Sequence, residues 1–204
     1  DALDAVEWLR ARIWDDHVMA TPLDVNNRST RQAFTDQSVA MVEEGSWALK
    51  DILTNARFHV GVAPFPAGPV QRATLTTTDG FGIYARTHDP SAAKELLKFL
   101  ISPEYGRAMA LANLLQPARA SLVQDWVRYI REEFPVQAKD LDIAAFADGQ
   151  IKGYSVTAEI FPNMAAAQRL ASAAWQEIFV LGQAPASHMI EVSQQIAAAQ
   201  QGSN

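Results

Sequence analysis

The stretch Ser38-Val39-Ala40-Met41-Val42-Glu43-Glu44-Gly45-Ser46-Trp47 narrows the choice of fold more than any other part of the chain. Its apolar residues run together, as in a strand covered on both faces, and Gly45 stops the run just before an indole. Residues 37–43 are therefore expected to form a buried strand, with Trp47 aimed into whatever cleft lies at the strand ends and opening a helix to Leu53. Phe58, Val60 and Val62 alternate with smaller residues and meet Pro64 and Pro66, which cannot serve a central ladder, so a second strand should end there. Residues 64–69 then read as an extended crossover. Thr74 to Thr78 is β-branched and Phe81 to Ala85 is apolar, with Asp79-Gly80 as a sharp bend between them.

Helical patterning fills much of the remainder. Ala2, Val6, Leu9 and Ile13 lie on one face of a helix spanning residues 1–17. Residues 24–30 form a polar loop, and Arg31 to Phe34 a short helix. Asp89-Pro90 announces a helix by a cap and a proline at its first position, with Ala93, Leu96, Leu97 and Leu100 as its stripe. Ser102-Pro103-Glu104 opens another in the same way, and Gln116-Pro117 ends it. Residues 121–134, 141–147, 164–181 and 186–200 are expected to be helical. Trp8, Trp14, Trp126 and Trp175 fall within these helices and are assigned to packing.

Several function classes are excluded at this level. The chain has 204 residues, 17 Lys and Arg against 23 Asp and Glu, and a net charge of −6, which does not suit a nucleic-acid surface. There is no cysteine, and the four histidines at 17, 59, 88 and 188 are scattered, so neither a structural zinc site nor any cofactor is implied. No Gly-x-Ser-x-Gly or Walker lysine loop occurs, and Gly80-Phe81-Gly82 lacks the third glycine of a nucleotide fingerprint. Glu43 and Glu44 are adjacent and would face opposite sides of a strand, which makes them poor partners for acid and base work. No apolar run approaches the ~20 residues that cross a bilayer.

What remains suits binding better than chemistry. The apolar C–H face of a sugar ring lies well on an indole such as Trp47, which is otherwise a core residue. Asp79 can accept from two hydroxyls, or simply form its turn. Gly80 either exposes a backbone N–H to a ligand or only permits the bend, and Gly45 and Ser46 have the same two readings, Ser46 also as a helix cap.

In order and spacing, Ala40-Met41, Gly45-Ser46-Trp47, Val62-Ala63-Pro64-Phe65-Pro66, Asp79-Gly80-Phe81-Gly82-Ile83, Ala92 to Leu100 and Gln116-Pro117-Ala118-Arg119 resemble the extracellular solute-binding proteins that deliver sugars to ABC importers. The likeness is to their carbohydrate-binding, maltose-binding-protein-like branch. It implies an α/β fold of the periplasmic-binding-protein type II, with a central sheet flanked by helices in each of two lobes. Such proteins have a first half with no counterpart here, so the chain resembles the C-terminal portion, helix-rich and with hinge crossovers. Residues 1–63 and 116–204 would belong to the C-terminal lobe, and residues 64–115 would cross into the N-terminal one. The resemblance also puts Trp47 against the sugar, Arg119 in a loop near the cleft, and Phe161 and Asn163 in a loop before a cleft-lining helix.

The partners so implied are a small sugar, ABC permease subunits and the missing N-terminal half of the same protein, with no nucleic acid and no direct membrane insertion. A periplasmic or extracellular location, soluble or lipid-anchored, follows from the same resemblance, with the export leader expected upstream. A sensory receptor module of the same fold and, further off, a carbohydrate-active enzyme domain are the alternatives; for the latter, no carboxylate pair at a glycosidase separation stands out.

Overall fold

A computed structural model of the chain describes residues 2–77, 79–158 and 162–201. Helices of all kinds take up 54% of it, and the sheet is small. The chain divides into two compact units, residues 1–40 with 159–204 and residues 41–158.

In the first unit, α1 (Ala2–Trp14), α8 (Met164–Trp175) and α9 (His188–Gln201) gather around a π-helical turn at Gln176–Val180. Val6, Leu9 and Ile13, on the face expected from their spacing, pack against buried Ile178, Phe179 and Val192. Trp14 donates its indole N–H to the Ile178 carbonyl at 3.1 Å. Beside it Gly182 takes φ 65°, a conformation costly to any residue with a side chain, and a Cβ there would stand 2.8 Å from the Trp14 ring. Two of the tryptophans assigned to packing are half open instead. Trp8 lies under the Arg12 guanidinium at 5.2 Å, and Trp175 leans on Phe179 with ring centres 4.3 Å apart. The short α2 (Thr30–Thr35) forms as expected, capped by Ser29, whose side chain accepts from the Gln32 N–H.

The second unit is built on α3 (Leu49–Asn55), α4 (Pro90–Leu100), α5 (Pro103–Asn113), α6 (Val123–Glu133) and the short α7 (Asp148–Lys152). Its core joins Leu49 and Leu53 of α3, Ala110 of α5, and Val123, Trp126, Val127 and Ile130 of α6 to Ile143 and Ala147 of a 3-10 turn. Trp126 is 0% exposed and donates its N–H to the Leu114 carbonyl at 2.8 Å. Leu114 ends α5 at φ 55°, in the left-handed region. Both proline-led helices carry the expected caps. Asp89 accepts from the N–H groups of Ser91 and Ala92 at 3.0 and 2.9 Å, and Ser102 accepts from that of Tyr105 at 3.2 Å.

The expected strands are the main correction. Residues 37–40 form a turn, with Gln37 at φ 62°, and residues 41–45 have no regular structure, leaving Met41 86% exposed. Residues 58–62 pair with no strand either. Val60 and Val62 pack on the helical core, so their alternation reports burial against helices and not a sheet. Among the described residues the only ladder is parallel, between β1 (Thr74–Leu75) and β2 (Ser155–Val156), with Thr74 opposite Ser155 and Leu75 opposite Val156. Gln150 donates to the Thr76 hydroxyl beside it, and Arg72 stacks over the Tyr154 ring at 5.6 Å.

Candidate functional site

Three of the candidate residues share one turn. Gly45 is extended at φ −87°, ψ 169° and precedes the 3-10 turn Ser46–Ala48, whose Ala48 N–H donates to the Gly45 carbonyl at 3.0 Å. Ala48 and Leu49, both buried, anchor this turn to the core. Ser46 is the first residue of the turn and not its cap. That place falls to Gly45, with no side-chain bond. The φ of Gly45 is open to any residue, so its glycine is demanded by space: the six-membered ring of Trp47 folds back onto it, and a Cβ would overlap Cζ3 and Cη2. Trp47 remains 55% exposed, one side of the indole against backbone and the rest open. Glu43, also exposed, and Glu44 precede this turn on irregular backbone, not on opposite faces of a strand.

A second group gathers at the corner between α4 and α5. Asp79 and Gly80 are exposed, and nothing stands within 4 Å of a Cβ placed on Gly80. The next residue, Phe81, meets Tyr105 edge-on with ring centres 5.9 Å apart, and Tyr105 meets Phe99 at 5.7 Å. Arg119 reaches the same corner, donating from Nη2 to the Ile101 carbonyl at 2.8 Å. Glu104, held by its own backbone N–H and then by the Ser102 hydroxyl, has a carboxyl below its ordinary range, with Arg107 and Arg119 adding to the effect.

Phe81, Ile83 and Tyr84 also face Ala93, Leu96, Leu97 and Leu100 across an apolar groove of about 190 Å³. Leu96 and Phe99 are more than half exposed, and α4 buries none of its residues. Sequence reasoning found the stripe but missed Tyr105, which joins two aromatics from separate elements through a break between helices.

Asn163 lies in the first unit, at the N-cap position of α8 with φ 54°, and donates to the Ala199 carbonyl of α9 at 3.1 Å. Phe161 lies outside the described residues. No group of three or more His, Asp or Glu that could hold a metal ion occurs among the described residues.

The model of the bacterial extracellular solute-binding protein family matches residues 1–107 of the 204. The chain belongs to this family. The matched part of this solute-binding protein contains Gly45, Ser46, Trp47, Asp79 and Gly80 and ends within α5, ahead of Arg119, Phe161 and Asn163. No curated protein matches the chain.

Membership implies a periplasmic-binding-protein fold, ligand binding outside the cytoplasm, and a small molecule and a transporter as partners; the family is in general not enzymatic. Among the described residues no helix is long and apolar enough to cross a membrane.

Proposed function

We propose that this solute-binding protein is the C-terminal portion of a carbohydrate-binding, maltose-binding-protein-like member that delivers a sugar or oligosaccharide to an ABC permease. The observation that carries this reading is the half-exposed indole of Trp47 on a turn anchored by buried Ala48 and Leu49. A flat aromatic fixed in place and open on one side is what a pyranose face stacks on, at little ordering cost. Gly45 and Ser46 would offer backbone N–H groups beside it. Asp79 would accept sugar hydroxyls, Gly80 would let the ligand approach its backbone, and Arg119, Phe161 and Asn163 would contribute from later loops.

Residues 1–63 and 116–204 would form most of one lobe, with residues 64–115 crossing to the other. In support, α4 turns large apolar side chains to solvent. On this reading a first half of the protein, or pairing with another chain, would cover that face.

Calorimetric titration of a panel of mono- and oligosaccharides, on this chain and on the full-length protein of its gene, tests the reading. Binding to the full-length protein, weakened about tenfold by Trp47→Ala with the fold unchanged, is the expected outcome. Unchanged affinity in the variant would return the indole to a packing role. Binding of no sugar by either protein would reject the carbohydrate assignment and leave the family membership standing.

A further inference from the structure

The chain contains two Asp-Gly pairs, Asp79-Gly80 and Asp148-Gly149, in opposite surroundings. Asp148 opens α7 and its carboxylate pairs with Lys152 Nζ at 2.6 Å. Gly149 is buried, a Cβ on it would overlap the Thr74 methyl group, and its carbonyl accepts from the Tyr154 N–H at 2.9 Å. Asp79 and Gly80, by contrast, are exposed on backbone without regular structure, and the space around Gly80 is empty.

We propose that Asp79 is a site of spontaneous isomerisation to isoaspartate and that the fold protects Asp148 from the same reaction. The Gly80 amide nitrogen attacks Cγ of Asp79, a C–N bond forms, and the carboxyl oxygen leaves as water together with the amide proton. The resulting five-membered succinimide takes up water again at its Cα-side carbonyl. The main chain then passes through the former side chain, with no change in mass and no oxidant consumed. The reaction requires the peptide to rotate until the nitrogen reaches Cγ, and it is fastest before glycine, where no Cβ obstructs the approach. Residues 79 and 80 are free to make that rotation, whereas Asp148 must first leave its helix and Gly149 its packed position. The product lengthens the backbone by one carbon and moves the carboxylate, whatever ligand the protein takes.

The test is to age the 204-residue chain at neutral pH and raised temperature, digest it, and assign isoaspartate by electron-transfer fragmentation. Isoaspartate at 79 is expected to form about tenfold or more faster than at 148, the factor set by an opening free energy of about 1.4 kcal/mol for α7. In denaturant the two rates should converge. Gly80→Ala, which has room in the fold, should slow the reaction at 79 with an unchanged circular dichroism spectrum. Equal rates at the two sites in the folded chain, a difference that persists in denaturant, or no slowing by Gly80→Ala would each overturn the proposal.

Discussion

The six-membered ring of Trp47 occupies the space that a Cβ on Gly45 would need. This contact, between residues only two apart, sets the orientation of the indole and leaves its other side open to solvent. Gly45 thus acts on the candidate site through shape alone, since its backbone angles are ordinary.

Gly45→Ala should therefore swing the indole to another rotamer while the helical core stays intact. The cost is that of moving one half-exposed side chain, about 1 kcal/mol. Near-ultraviolet circular dichroism should change while the denaturation midpoint moves only slightly. A large loss of stability would show that the turn, and not the ring, carries the strain.

Trp126 offers the opposite case of a fully buried indole whose N–H is committed to the Leu114 carbonyl. Trp126→Phe keeps much of the apolar volume but orphans that carbonyl at the end of α5, and should destabilise by about 1–3 kcal/mol in urea unfolding. Trp126→Ala also leaves a cavity and should cost about 3–5 kcal/mol. Equal losses in the two variants would mean that the hydrogen bond, and not the packed ring, dominates.

Asp89 satisfies two N–H groups at the start of α4, and that helix buries none of its own residues. With little tertiary packing to hold the first turn, Asp89→Ala should lower its stability by about 1 kcal/mol, read as faster amide exchange at Ala92 and Ala93. Ser102→Ala, which removes the bonds of that hydroxyl to the Tyr105 N–H and to the Glu104 carboxyl, should act less on α4 and more on the start of α5.

Asp125 lies between two guanidinium groups, with Arg128 at 3.1 Å and Arg107 at 3.2 Å, and these bonds hold its carboxyl below the ordinary aspartate range. A carboxyl whose folded value is depressed contributes stability above its unfolded value, about 3.9, and loses it as pH falls through the lowered one. Asp125→Asn should accordingly narrow the stability difference between neutral pH and pH below that range. A carbon-13 NMR titration of Asp125 should show its midpoint below that of exposed aspartates, and a midpoint at or above theirs would contradict this account.

Helix starts were legible because their chemistry is local: Asp89-Pro90 and Ser102-Pro103 each carry a cap and a fixed φ within two residues. The core face of α1 was legible for the same reason, since Val6, Leu9 and Ile13 repeat with the helix period. Strands were not, because a ladder depends on a partner elsewhere in the chain. The alternation at Val60 and Val62 reports apolar surroundings, which helices supply as well as sheets do, while the apolar run at 39–42 finds no cover at Met41, which stays exposed. The pairing that does form joins Thr74–Leu75 to Ser155–Val156, segments too short to carry a periodic signal. At the candidate site, the Gly45–Trp47 turn was marked by residue type, while the Phe81, Tyr105 and Phe99 cluster arises from tertiary approach alone.

The ladder between Thr74 and Ser155 also bears on the order in which the second unit assembles. A two-residue ladder, with the Gln150 bond to Thr76 and Arg72 over Tyr154 beside it, is a small reward for closing a loop that runs from position 74 to position 155. The chain entropy lost in joining such distant points exceeds what so short a ribbon returns, unless the intervening helices have already drawn the ends together. The helical core around Trp126 must therefore collapse first. During synthesis this ribbon stays unformed until almost the whole unit has left the ribosome, and it registers the completion of folding without taking part in its initiation.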